Sequence, residues 1–376
     1  MKHLTIVGFL LILMGICIAS NIYTLIPIYE NIARNMNRTV EQTIFGSSVF
    51  SICYACGLLI FGPVSEKIGR KKVIITGLFF SFLTTGVVGF AFDETSLYMF
   101  RGLQGFALGT FAPVAFAYTF ELFPIKHRTL VLALINSGFL IAGILGQLIS
   151  TALTNLYSWE YVFYSFALIY LLLFLSGIIF LPNIPLVQRN GTSIVKDMLL
   201  LVRDPSLFKC YVITFSILLS FVSFYDGIGR FLREVYSVND ETLFHIRAIG
   251  LIGASLSFFA GKIVKKIGDK QTLVTGLLLT ICSLLLLLFA ISPFLIAIFS
   301  IPFVAALSLL YPSIISIIGT IGQHNRGSAI SLYSFTLLVG ASIGPIIANV
   351  IDFPVLLLSL TGMFLLNLFL SLRINM

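Results

Sequence analysis

Charged side chains are scarce in this sequence. Only 10% of its 376 residues are Asp, Glu, Lys or Arg, where a soluble domain carries about 25%. So few charges cannot cover a water-facing surface, which excludes a soluble globular protein. Histidine is rarer still: His3, His127, His245 and His324 are scattered near the ends of apolar segments. No catalytic cluster is visible, which argues against a membrane-embedded enzyme. The five cysteines (Cys17, Cys53, Cys56, Cys210 and Cys282) all lie in apolar runs. Cys53 and Cys56 have the spacing of a zinc or redox pair, but no second pair or histidine cluster accompanies them, and they read as buried thiols. Residues 5–28 contain no acid at all, a gap that bears on coupling below.

What is abundant is apolar. Hydrophobic residues make up 58% of the chain and the mean hydropathy is +1.06. About 20 apolar residues cross a bilayer as a helix. On that measure the spans fall near 5–28, 43–62, 73–92, 96–121, 129–153, 160–181, 208–231, 241–261, 272–291, 294–318, 327–350 and 354–372. The first run is too long for a signal-peptide core and has no small-x-small cleavage site, so it reads as a transmembrane helix. Ile16 before Cys17 argues against a lipoprotein anchor. Backbone polar groups must be satisfied inside lipid, so all twelve spans are expected to be helices.

The net charge of +8 is explained by where the bases sit. Seventeen of the 23 Lys and Arg residues fall at the N-terminus, the even-numbered connections and the C-terminus. The acids Glu30, Glu41, Asp93, Glu94, Glu160, Glu234, Asp240, Glu241 and Asp352 fall on the other side. By the positive-inside rule both termini are cytoplasmic, and no nucleic-acid partner is needed. One connection is long and irregular, with Pro182, Pro185, Asn190-Gly191 and Pro205 around a short amphipathic piece at 194–202. The expected organisation is a six-helix bundle at 1–186, a cytoplasmic linker at 187–207 and a second six-helix bundle at 208–376. The sequons at Asn37 and Asn190 carry no weight.

The two halves echo each other. Gly62-Pro63-Val64-Ser65-Glu66-Lys67-Ile68-Gly69-Arg70-Lys71-Lys72 returns as Gly261-Lys262-Ile263-Val264-Lys265-Lys266-Ile267-Gly268-Asp269-Lys270, an offset of 199 residues (261 − 62). Thr76-Gly77-Leu78 keeps the offset at Thr275-Gly276-Leu277, and at 198 residues Arg128 meets Arg326 and Gly146 meets Gly344. Repeats of this kind place a transporter's binding site at the interface of its halves.

Three motifs make the chain similar to transporters of the major facilitator superfamily along nearly its whole length. The hinge at 62–72 resembles that family's loop 2–3 motif, with Glu66 for its Asp. Leu97-x3-Arg101-x2-Gln104-Gly105 resembles its fourth-helix motif. Gly138-x4-Gly143-x2-Gly146 resembles the glycine-rich signature of exporters, although the expected Gly-Pro pair is missing there and appears instead at Gly344-Pro345.

Several residues are candidates for function. Gly62 and Gly69 permit a tight turn between helices. By the resemblance, Glu66 latches the halves together and Arg70 pairs with Glu121; Lys71 and Lys72 either fix topology or meet lipid headgroups. Lys265 replaces Glu66 in the second copy, so that copy is expected to lack the same acid-based latch. A base such as Arg101 inside a span is costly and functional by default. The resemblance also gives it a part in proton coupling. Asp226 is the main intramembrane carboxylate, with Arg230 one helical turn away and able to pair with it. Arg247 has a similar depth. Asp226 is equally open to a structural ion pair and to proton carriage. Asn21 and Tyr23, Gln104 and Tyr118, Asn136, Tyr311 and Tyr333 could line the pathway. Because the first span lacks an acid, proton coupling must rest on Asp226, Glu121 or the substrate.

The expected function is alternating-access export of a drug or endogenous metabolite such as a metallophore, by proton antiport across a bacterial-type inner membrane. The protein would need no cofactor or metal, with the proton gradient as energy source, and would work as a monomer among lipids. The alternatives are a proton-linked uptake permease for a sugar or organic anion, favoured if Arg101, Arg230 and Arg247 form an anion site, and more remotely a non-transporting receptor.

Overall fold

The computed structural model describes residues 2–185, 194–290 and 292–374, and those residues form helices and short connections, with no strand among them. In the first half the helices are α1 (Lys2–Tyr23), α2 (Tyr29–Met36), α3 (Val40–Ile68), α4 (Arg70–Val88), α5 (Glu94–Leu108), α6 (Phe111–Leu122), α7 (Ile125–Leu156) and α8 (Glu160–Phe180). After α9 (Ile194–Arg203) come α10 (Pro205–Tyr236), α11 (Asp240–Leu251), α12 (Ser257–Ile267) and α13 (Asp269–Leu287). The chain closes with α14 (Pro293–Ile321), α15 (Arg326–Val350) and α16 (Phe353–Leu372). The amphipathic piece expected in the linker is α9, while 186–193, with Arg189 and the second sequon, lie outside the described residues.

Among the described residues, 11 helical segments are long and apolar enough to cross a membrane. The eighth expected span, 241–261, is not one regular helix. It is divided into α11, a 3-10 stretch at Ile252–Leu256, and α12. The break lies where a Cβ on Gly253 would stand 2.2 Å from the Ile301 carbonyl oxygen, so this segment meets α14 backbone to backbone. Large apolar side chains such as Phe80, Phe90, Phe92, Phe289 and Val350 stand exposed. In water such a surface would aggregate; against acyl chains it is at home.

The hinge register survives in three dimensions. Gly69 (φ 109) separates α3 from α4, and Gly268 (φ 87) separates α12 from α13. Only glycine reaches that backbone region without strain. In each copy the glycine N–H bonds back four residues, to Ser65 O in the first and Val264 O in the second.

The chain packs as two compact units. One holds Met1–Phe123 and Gly138–Thr192; the other holds Pro124–Ser137 and Ser193–Met376. The unbroken helix α7 therefore contributes to both, dividing between Ser137 and Gly138.

Candidate functional site

In the N-terminal unit a polar network is built around Arg101, whose side chain is wholly buried. One terminal nitrogen donates to Gln104 Oε1 at 2.6 Å and the other to the Asn21 carbonyl at 3.3 Å. Gln104 Nε2 donates to Asn21 Oδ1 at 2.8 Å and to Thr85 Oγ1 at 3.0 Å. The Asn21 amide donates in turn to the Tyr170 hydroxyl, which donates to Cys17 O at 2.9 Å. Phe50 lies under the guanidinium, 4.1 Å from ring centroid to Cζ, and Phe163 lies at 5.9 Å. The network thus joins α1, α3, α4, α5 and α8. A guanidinium forfeits much solvation when buried, and here amides, a carbonyl and aromatic faces replace water. Snorkelling to the surface is ruled out by its burial. Thr85, Tyr170 and Phe50 had no distinguishing signal in the sequence, because hydroxyls and rings are common in spans and only long-range pairing singles these out.

The first hinge is a second cluster. Arg70, mostly buried, donates through Nε and Nη2 to Glu121 Oε1 at 3.2 and 2.9 Å. Its other terminal nitrogen donates to Gly62 O at 3.1 Å and to the Ser65 hydroxyl. Glu66 Oε1 lies 3.6 Å from Arg70 Nη2, so one arginine is shared between two acids. Lys71 Nζ donates to Ile178 O at 3.1 Å, near the C-terminal end of α8. Its repeat partner Lys270 (71 + 199) donates to Leu372 O at 3.1 Å and Ile374 O at 2.8 Å, at the end of α16. In both halves a hinge lysine supplies the donor that terminal helix carbonyls lack.

In the C-terminal unit Asp226 is half-buried on α10, and no hydrogen bond or ion pair joins it to a described residue. The expected pairing with Arg230 does not form. Arg230 turns to the carbonyls of Ala348 and, at 3.1 Å, Ile351. These lie at the end of α15, where unpaired carbonyls and the helix dipole attract a cation. Arg247 is likewise engaged, donating to Tyr225 O at 2.9 Å. The Tyr118 hydroxyl, in the N-terminal unit, donates to Pro182 O at 2.6 Å. Asn136 accepts from the Tyr333 hydroxyl at 3.4 Å and donates to Leu132 O at 2.9 Å. Tyr311 is buried on α14.

Both halves pack one helix pair through glycine. A Cβ on Gly146 of α7 would stand 2.4 Å from Ser20 O of α1, and one on Gly340 of α15 would stand 2.3 Å from Phe215 O of α10. Small residues at such contacts let helix backbones touch in lipid.

These features define a helical, multi-pass membrane protein made of two related units, with buried ionisable groups at membrane depth. Residues 11–253 and 242–374 match the family profile described as Major Facilitator Superfamily. The chain belongs to the major facilitator superfamily, a family of transporters and not of enzymes. It is 27% identical over 359 residues to a transporter of Buchnera aphidicola subsp. Baizongia pistaciae, covering 91% of this chain and 86% of that one. A shorter match, 31% identical over 115 residues, is to multidrug resistance protein 3 of Bacillus subtilis, covering 31% of this chain and 22% of that one. The fold superposes on the E. coli fucose:proton symporter FucP with a TM-score of 0.78 at 16% identity, over 100% of both chains.

Proposed function

We propose that this transporter exports a small molecule by alternating access, driven by proton antiport, with Asp226 as the proton-carrying group. One observation carries the coupling: Asp226 is half-buried within the Pro205–Tyr236 span and no described residue pairs with it. A carboxylate without a fixed partner inside a span is free to exchange a proton. Glu121, the other candidate, is held by Arg70 at 2.9 Å. Export is supported by the glycine contacts along α7 and by the partial likeness to a multidrug resistance protein. In this reading the chain is a monomer in a bacterial-type inner membrane. It crosses twelve times, counting the divided α11–α12 segment, with both termini cytoplasmic. It takes protons as its only coupling partner and no cofactor. A bundle of residues 1–186 and another of 208–376 rock about a central site, and Glu66 latches the outward-open state.

The uptake reading for a sugar or organic anion would be favoured by an anion site built from Arg101, Arg230 and Arg247. Arg230 and Arg247 are instead engaged by backbone carbonyls, and Arg101 by its own network. For the coupling, Asp226→Asn protein in proteoliposomes should lose flux driven by a pH gradient while keeping substrate exchange. Uphill transport at the wild-type rate would remove Asp226 from the mechanism.

A further inference from the structure

Lys209, near the start of α10, donates to Arg373 O at 2.7 Å, and Lys270, beside the second hinge, donates to Leu372 O at 3.1 Å. The last turns of α10 and the first turn of α16 therefore lie together at the far end of the C-terminal unit. There they enclose a cavity of about 300 Å³. Its walls include Arg230, Phe231 and Glu234 from α10, and Asp352, Phe353 and Pro354 at the entry to α16. Phe231 and Phe353 stack, with ring centroids 5.0 Å apart and planes 26° from parallel, and make one side of the cavity aromatic.

The arginine in this cavity does not neutralise the two acids. Its guanidinium is turned to the carbonyls of Ala348 and Ile351 at the end of α15. Glu234 and Asp352 are both exposed, and no hydrogen bond or ion pair from a described residue engages either carboxylate. Asp352 is the N-cap of α16, where an aspartate ordinarily accepts from the second or third N–H of the helix. Pro354 removes one of those donors, and the Asp352 side chain makes no capping bond. Two uncommitted carboxylates beside stacked rings suit an organic cation, whose charge meets the acids and whose body meets the aromatic wall. An anion would face both carboxylates, and a neutral solute would leave their charge unmatched. The cavity volume falls at the small end of the range for such ligands.

We propose that this cavity binds a small organic ammonium ion, with Glu234 and Asp352 sharing its charge and the Phe231–Phe353 pair receiving its apolar body. The site belongs to the C-terminal unit alone. It is separate from the Asp226 carboxyl, which lies about two turns before Glu234 on α10 and is not part of the cavity wall.

Scintillation-proximity binding of tritiated 2-phenylethylamine to the full-length protein in lipid nanodiscs, with empty nanodiscs as blank, tests the site. The assay assumes no transport direction, so its failure is separate from a failure of the export reading. Binding should saturate, and unlabelled 2-phenylethanol, the neutral counterpart, should compete roughly tenfold more weakly than the unlabelled amine. Glu234→Gln and Asp352→Asn should each weaken binding roughly fivefold, and Phe231→Leu roughly threefold. Asp226→Asn and Glu30→Gln, a surface change in the other unit, should bind as wild type. Binding that does not saturate, equal competition by the alcohol, or wild-type affinity in both acid variants would each overturn the site. Loss of binding in Asp226→Asn with both acid variants unaffected would assign the amine to the proton-carrying carboxyl and overturn it as well. Calcium chloride competing more strongly than the unlabelled amine would make this a metal site and overturn the proposal.

Discussion

Arg101 shows how a residue singled out in the sequence gains its partners only in the fold. The sequence marks it as a charge in a span and lists Gln104 and Asn21 beside it as pathway residues. The fold makes all three members of one closed network inside the N-terminal unit. What the linear pattern could not show is which way each side chain points and that Tyr170, 149 residues from Asn21, completes the set. Gln104→Leu would leave Arg101, Asn21 and Thr85 short of partners in a dry interior. The expected loss is about 1–3 kcal/mol, read as a lower unfolding temperature in detergent. Tyr118→Phe removes one hydroxyl–carbonyl bond and should cost about 1 kcal/mol, with transport retained; lost transport would place Tyr118 in the pathway.

Whole helices carry a different kind of information. The repeat offset was readable because glycines at 69 and 268 must tolerate positive φ, and a required glycine leaves a fixed mark in sequence. The partners of the hinge lysines were not readable, since terminal carbonyls of α8 and α16 have no sequence signature. Lys71→Met and Lys270→Met should each destabilise by about 0.3–1 kcal/mol, the range for a cation at a helix C-terminus. Gly146→Val and Gly340→Val push side chains into facing carbonyls. Each should cost about 1–3 kcal/mol and abolish transport, because the helix pair cannot close. Calorimetry on the four variants ranks the two effects; equal losses would mean that the glycine contacts are looser than described. The eighth span was legible as apolar but not as broken, since Gly253 marks its break only through the approach of α14.

For the molecule as a whole, composition alone placed the chain in a membrane, and the hinge and fourth-helix motifs placed it in its family. The account rests on outward movement through a cycle that Glu66 latches. Metabolite profiles of spent medium test this most directly, from cells with the wild-type chain, without it, and with Glu66→Ala at equal membrane abundance. Export predicts at least one compound enriched outside wild-type cells and absent from both other media. A compound depleted from the medium by the wild-type chain alone would show uptake and contradict the account.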